Sequence, residues 1–197
     1  MKRLCALLLA ALLLSGCAAG RPDGSLPTLT VTFLDVGKAD CILLEAEGRA
    51  AMIDAGNQGD AEEILALLSA KGISSLDFLL LTHLDKDHIG GADALIENVP
   101  IGTIYAPDYD KGNKQYDQYI AALTAAGIEP VHPTEPVDLT LGQAQITLLP
   151  GAQAAYEESN DYSIFLELFY GQTSFLFAGD AEETRLAEYL ASPDLRH

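Results

Sequence analysis

Tryptophan is missing from this chain of 197 residues, and only six Phe and eight Tyr supply its aromatic rings. So sparse a set gives no sequence-level sign of a platform for sugars or nucleobases. Basic residues are scarce as well, with 11 Lys and Arg against 29 Asp and Glu and a net charge of −18. That field repels polyanions and anionic lipid headgroups, and no basic run interrupts it, so stable nucleic-acid binding is not expected. Cysteine is too rare for a disulfide framework. Of Cys5, Cys17 and Cys41, only Cys41 falls within a domain-like segment, in the apolar pattern Cys41-Ile42-Leu43-Leu44, where it reads as a small core residue. No apolar run reaches the roughly 20 residues needed to span a bilayer. Repeats and low-complexity segments are absent too.

What remains is the composition of a globular protein, 49% hydrophobic and 20% charged, with a length suited to one domain. The first residues stand apart. Lys2 and Arg3 precede an apolar run from Leu4 to Leu14, the layout of an export signal. Leu14-Ser15-Gly16-Cys17 then resembles a bacterial lipobox. The resemblance implies a signal peptide over residues 1–16, lipidation of Cys17, and anchoring in the lipid bilayer on the outer face of the cytoplasmic membrane. An ordinary signal with a chance cysteine is the competing reading. Loss of Lys2 and Arg3 would make the chain two units more negative. Residues 17–28 carry Gly20, Pro22, Gly24 and Pro27 and read as a tether, leaving 29–197 as the domain.

Within that domain, strands are expected over Leu29–Leu34, Cys41–Ala46, Ala50–Ile53, Leu76–Leu81, Gly102–Tyr105, Gln145–Leu149, Tyr162–Tyr170 and Thr173–Ala178. Helical spacing covers Ala61–Ala70, Ile89–Asn98, Tyr116–Ala126 and Glu182–Leu190. Strands and helices alternate in groups, which predicts α/β layers.

The chemistry is concentrated in Thr82-His83-Leu84-Asp85-Lys86-Asp87-His88-Ile89-Gly90-Gly91. Four metal-capable side chains fall within six residues, directly after a continuous apolar strand. Imidazole with carboxylate suits Zn²⁺ or Mn²⁺. Residues 83 and 85 share a face if the segment is extended. Asp87 and His88 open the next helix, so the two pairs point in different directions, as two adjacent ions require. Gly90 and Gly91 permit close backbone approach. His132, in a loop with Pro130, Pro133 and Pro136, reads as exposed and without function, and Lys86 as an exposed turn residue, the alternative being a contact to an anionic substrate.

That stretch resembles the His-x-His-x-Asp-His signature of the metallo-β-lactamase superfamily, with Asp85 in place of its second His. Its His-x-Asp-x-Asp-His form is similar to the hydrolase domain of the competence protein ComEC and its stand-alone relatives. Phe33-Leu34-Asp35-Val36-Gly37-Lys38-Ala39-Asp40, Met52-Ile53-Asp54-Ala55-Gly56, Ser159-Asn160-Asp161-Tyr162-Ser163 and Ser174-Phe175-Leu176-Phe177-Ala178-Gly179-Asp180 are similar to that family's other motifs, in order. The resemblance implies a four-layer αββα sandwich and one or two divalent ions. It assigns His83 and Asp85 to a first ion, Asp87 (also the candidate catalytic residue) and His88 to a second, and Asp180 to a bridge between them. Asn160 or Asp161 would complete the first site or hold a water, while Asp40 and Asp54 would orient loops or ligands. Asp180 could instead, or in addition, cap the helix that follows. The family's closing strand, with His-His-Gly, has no counterpart before Asp194-Leu195-Arg196-His197. The expectation is therefore a domain incomplete at its C-terminus, the alternative being a second site short of one protein ligand.

The implied reaction is hydrolysis by water that a divalent ion acidifies. A phosphodiesterase or nuclease is the leading expectation. Hydrolysis of an ester, thioester or lactam is the alternative, and a non-catalytic surface lipoprotein with a degenerate site is the third.

Overall fold

A computed structural model describes residues 27–192. The signal segment, Cys17, most of the tether and His197 lie outside the described residues.

Strands β1 (Leu29–Phe33), β2 (Ile42–Ala46), β3 (Arg49–Ile53), β4 (Leu76–Leu80) and β5 (Ile101–Tyr105) form one sheet in that spatial order. The β1–β2–β3 part is antiparallel and β3–β4–β5 is parallel. The turn between β2 and β3 is only Glu47-Gly48, both at positive φ (53° and 76°), the two-residue geometry that matches strand twist. A second sheet orders β6 (Val137–Leu141), β7 (Ala144–Leu149), β8 (Phe165–Tyr170) and β9 (Thr173–Phe177), all antiparallel.

Alternation along the strands divides the core in two. Leu43, Met52 and Leu79 face the helices α1 (Ala61–Ala70), α3 (Ala92–Asn98) and α4 (Lys114–Ala126), meeting Ile64, Leu68, Leu95 and Leu123. Their neighbours Leu44, Ile53 and Leu80 point the other way, onto Ile146, Leu148, Leu166 and Leu168 of the second sheet. Period-two alternation with both faces apolar is what a strand buried between layers requires. Cys41 is buried in the helix-side core, and burial pushes its thiol well above the ordinary range. Helix α5 (Glu183–Ala191) covers the far side of the second sheet. There the buried Arg185 guanidinium sits 4.1 Å over the Phe165 ring and donates to the Leu149, Pro150 and Ser163 carbonyls. The layers run helix, sheet, sheet, helix: the αββα sandwich expected.

Three elements differ from the sequence reading. The helix expected over 89–98 is two pieces, α2 (Lys86–Ile89) and α3. The break falls at Gly90-Gly91, whose N–H groups donate sideways to the Gly56 and Ala55 carbonyls. A Cβ at Gly90 would stand 2.3 Å from the Gln58 nitrogen, and one at Gly91 2.6 Å from the Ala55 oxygen, so no other residue fits this junction. Strand β6 was not foreseen behind Pro136. Strand β8 starts at Phe165 because Ser159–Tyr162 forms a 3-10 turn.

Candidate metal centre

The parallel pair β3–β4 ends side by side. Asp54 follows β3, and Leu81-Thr82-His83 follows β4, the carboxyl edge where open α/β sheets place their ligands. The Asp54 N–H donates to the Leu80 carbonyl (2.8 Å), and Asp54 takes a left-handed φ of 57°, turning its carboxylate back across the strand end. Asp54, Thr82, His83 and His88 are all buried.

The Asp54 carboxylate organises this cluster. Its Oδ1 accepts the Thr82 N–H (2.7 Å), and its Oδ2 accepts both the Thr82 hydroxyl (2.8 Å) and His88 Nδ1–H (2.8 Å). With its proton committed to Asp54, the Thr82 oxygen can only accept from His83 Nδ1, 3.2 Å away. In the neutral imidazoles both protons therefore sit on Nδ1 and both Nε2 lone pairs are bare. Those two Nε2 atoms are buried without a hydrogen-bond partner, and the rings lie 4.1 Å apart. Two orphaned lone pairs side by side would be costly unless something accepts them. A cation does.

Asp180 supplies the third arm, from the other sheet. After β9 the chain passes through Gly179, at φ 54°, where a Cβ would lie 2.8 Å from Thr82 Oγ1 and 3.0 Å from Ser163 Oγ. Glycine thus lets the segment close onto Thr82, and the Ile164 N–H donates to the Thr82 carbonyl (2.9 Å), tying the sheets together there. Asp180 Oδ1 comes within 3.5 Å of His88 Nε2. Ligand atoms of His83, His88 and Asp180 all lie within 4.8 Å of one another, a spacing one ion can draw together. The Asp180 side chain is 46% exposed, so the cluster opens to solvent on that side.

The other expected residues are placed as follows. Asp40 joins Asp54 and His88 in a second group whose ligand atoms also lie within 4.8 Å. Burial, and then the neighbouring charge of Asp54, raises the Asp40 pKa. Asp87 is half-buried in α2, and its carbonyl accepts the Asp40 N–H. Asp85 stands at the N-cap of α2 but belongs to neither group. Its carboxylate is ion-paired with Lys111. Asn160 donates to Glu182 (2.9 Å), and buried Asp161 accepts the N–H groups of Glu182 and Arg185. Both therefore hold the start of α5 in this structure. Glu182, not Asp180, occupies the N-cap position of α5. His132 is exposed and bonds the Ala106 carbonyl through Nδ1 (2.9 Å).

Sequence reasoning did not single out four contributors. Thr82 relays Asp54 to His83. Tyr109 accepts the Leu84 N–H through its hydroxyl (2.7 Å) and stacks on Tyr162 at 4.1 Å. Lys111 and Ser159 meet Asp85 from two distant loops. Thr82 could have been found as a hydroxyl at the mouth of a parallel strand. Ser159 opens a motif already quoted but gives no sign of its partner, and Tyr109 and Lys111 leave no local pattern.

Burial lowers the pKa of His83, helped by the neighbouring imidazole of His88. His88 shows the opposite balance. Burial opposes its charge, but the hydrogen bond to Asp54 and the fields of Asp54, Asp180 and Asp40 outweigh it and push the imidazole up to about 9. A proton on His88 Nε2 competes directly with an ion. Apparent metal affinity is therefore expected to climb by about tenfold per pH unit from pH 7 toward 9. In the ion-free chain the raised pKa works the other way. Its stabilisation is complete below pH 6.5 and fades as pH rises through about 9, so the melting temperature falls over that interval. Metal titrations and thermal melts across pH 6–9 check both slopes, and a flat metal affinity would contradict this account of His88.

Comparison with known proteins agrees with this geometry. The pattern of the metallo-beta-lactamase superfamily matches residues 34–196. The chain is 28% identical to competence protein ComA of Neisseria gonorrhoeae, over 91% of this chain and 24% of that protein. It is 24% identical to ComE operon protein 3 of Bacillus subtilis, over 78% of this chain and 22% of that one. The chain thus spans under a quarter of the length of these two relatives. A hydroxyacylglutathione hydrolase of Aeromonas salmonicida is 32% identical over 40% of this chain and 29% of its own length. Among solved structures, a Cronobacter sakazakii metallo-beta-lactamase with a HARLDQ motif (mutant S60) superposes with a TM-score of 0.51 at 16% identity, over 75% of this chain and 58% of that one. The metallo-beta-lactamase fold protein YhfI of Bacillus subtilis gives 0.51 at 16% identity, over 78% and 60%. Identity so low speaks for the fold alone.

Proposed function

Because the chain belongs to the metallo-beta-lactamase superfamily, we propose that it is a metal-dependent phosphodiesterase that holds Zn²⁺ or Mn²⁺ on His83, His88 and Asp180. The observation that carries this reading is the pair of buried Nε2 atoms, neither hydrogen-bonded, that converge with a carboxylate from the opposite sheet. The competence-named relatives and the carboxylate-rich surroundings support a phosphodiester over a carboxylic ester.

A divalent ion there would supply Lewis acidity and make water ionise near neutral pH. The protein's own residues do the rest. Asp54 fixes both tautomers, directly for His88 and through Thr82 for His83, so no reorganisation is needed before an ion is held. Leu81, Leu84 and the rings of His83 and His88 close the floor of the site against water, while Asp180 faces solvent. Substrate enters from that open side. Asp87, next to His88 and hydrogen-bonded to Asp40 through the backbone, is the carboxylate proposed to accept the proton of the attacking water. Were a second ion to bind, Asp40 and Asp87, whose backbones are hydrogen-bonded beside His88, would be the carboxylates available to it. The lipobox-like segment ending at Cys17 would place this chemistry at the outer face of the cytoplasmic membrane.

A second reading, thioester hydrolysis, has the hydroxyacylglutathione hydrolase likeness in its favour. The two separate on a substrate panel. Bis(p-nitrophenyl) phosphate, p-nitrophenyl acetate and an acylglutathione are offered to protein loaded with Mn²⁺ or Zn²⁺, then again after chelation. Phosphodiester turnover that chelator abolishes is the expected result. Preferential thioester turnover would transfer the assignment to the second reading, and silence on every substrate with metal bound would favour a binding protein.

A further inference from the structure

The loop between β5 and α4 contributes a group that the ligand set does not use. Lys111 Nζ is ion-paired with Asp85 and donates to the Ser159 hydroxyl (2.7 Å). An ammonium has three N–H donors, so one remains, and the Lys111 side chain keeps 24% of its surface exposed. Its mount is stiff. Tyr109, two residues earlier, is pinned to the Leu84 N–H and stacked on Tyr162, while Asp110 accepts the Gly112 N–H (2.8 Å) within the loop. Ser159 and Tyr162 belong to one 3-10 turn. The loop is thus fastened to the turn at Leu84 and Asp85, and to the 3-10 turn that precedes β8 at Ser159 and Tyr162.

Position and charge make this cation informative. Asp85 lies two residues from His83, and each senses the other's charge, so the ammonium paired with Asp85 is tied to the His83 end of the centre. The centre itself is acidic: Asp40, Asp54 and Asp180 gather about His88, Asp87 adds its charge at Asp40, and the chain as a whole carries −18. Lys38 and Lys86 on neighbouring segments are exposed. An anionic substrate approaching such a surface needs a fixed positive group besides the ion. A lysine already immobilised by two partners provides one with little further loss of side-chain entropy. Asp85 then serves as the anchor of Lys111, which accounts for its carboxylate lying apart from the His83–His88–Asp180 group.

We propose that Lys111, held by Asp85 and Ser159, is the docking residue for a non-bridging phosphoryl oxygen of the substrate. The inference rests on the phosphodiester reading of the site, and its test does not require turnover. Inorganic phosphate is titrated calorimetrically into the full chain loaded with Zn²⁺, as wild type, Lys111→Met, Lys111→Arg and Ser159→Ala. Bound zinc is measured on each, and circular dichroism confirms folding. Lys111→Met should weaken phosphate at least tenfold with zinc content unchanged, and Lys111→Arg should restore most of the binding. Ser159→Ala, which frees a donor without removing charge, should fall between. With bis(p-nitrophenyl) phosphate, Lys111→Met should raise KM far more than it lowers kcat, leaving p-nitrophenyl acetate untouched. Unchanged phosphate affinity in Lys111→Met, or loss that tracks loss of zinc, would overturn the proposal and leave Lys111 a counter-ion of Asp85. If wild type cleaves no phosphodiester yet its phosphate binding depends on Lys111, the docking role stands and the catalytic reading falls.

Discussion

Replacing Asp54 with alanine is expected to destabilise the fold by about 3–5 kcal/mol and to weaken metal binding by roughly 10–100-fold. Three donors converge on this carboxylate: the Thr82 N–H, the Thr82 hydroxyl and His88 Nδ1–H. All lie in the interior, so none recovers a water when the acceptor is lost. The tautomers also come undone. Without Asp54 the Thr82 hydroxyl is free to donate to His83 Nδ1, which would put the imidazole proton on Nε2, where the ion belongs. Asparagine does not rescue the site. It tolerates the left-handed backbone at φ 57°, but an amide NH₂ in place of Oδ2 would face the Thr82 O–H and His88 Nδ1–H, both of which donate there. Denaturant unfolding of the ion-free proteins measures the first effect, and a metal titration the second. An Asp54→Asn variant with wild-type metal affinity would show that the hydrogen bonds have been misread.

The second large effect concerns activity. His83→Ala is expected to lower kcat/KM on the phosphodiester by at least about 10³-fold, roughly 4 kcal/mol of transition-state stabilisation. This substitution is cleaner than its counterpart at His88, because Asp54 keeps all three of its donors when the His83 ring is removed. Folding stability should therefore change far less than in Asp54→Ala, and the comparison separates a lost ligand from a lost scaffold. Kinetics and metal analysis on the same preparation decide. Retention of full activity in His83→Ala would remove the metal centre from the mechanism.

The distribution of such residues explains how much the sequence revealed. The apolar run Leu76–Leu81 delivering Thr82-His83, the spaced acids and imidazoles to His88, and Phe177-Ala178-Gly179-Asp180 are local patterns, and each marks a strand end that the fold brings to the centre. Helix α1 was legible residue for residue, because its apolar spacing ends at a glycine. The break between α2 and α3 was not. Gly90-Gly91 continues a helical spacing on paper, and only the approach of Ala55 and Gln58 stops it. Strand β6 alternates strictly, Val137-Asp138-Leu139-Thr140-Leu141, but is only five residues long and follows directly on the Pro-rich loop that ends at Pro136. Asp161 looked like a ligand by position, yet its carboxylate accepts N–H groups from the first turn of α5. The pairing of Asp85 with Lys111 and the stacking of Tyr109 on Tyr162 join segments far apart in sequence, and neither partner carries a sign of the other.

The crossing from sheet to sheet at Thr82 has a bearing on how the protein is made. A ribosome releases the strand bearing His83 and the turn bearing His88 well before the hairpin that carries Asp180. The Ile164 amide that buttons the sheets together at Thr82 comes off late as well. Until then the nascent half presents two imidazoles on a half-built scaffold. On the proposed ligand set, then, the third arm arrives only after the second half has folded against the first, and a chain stalled midway would offer an ion two imidazoles and no Asp180.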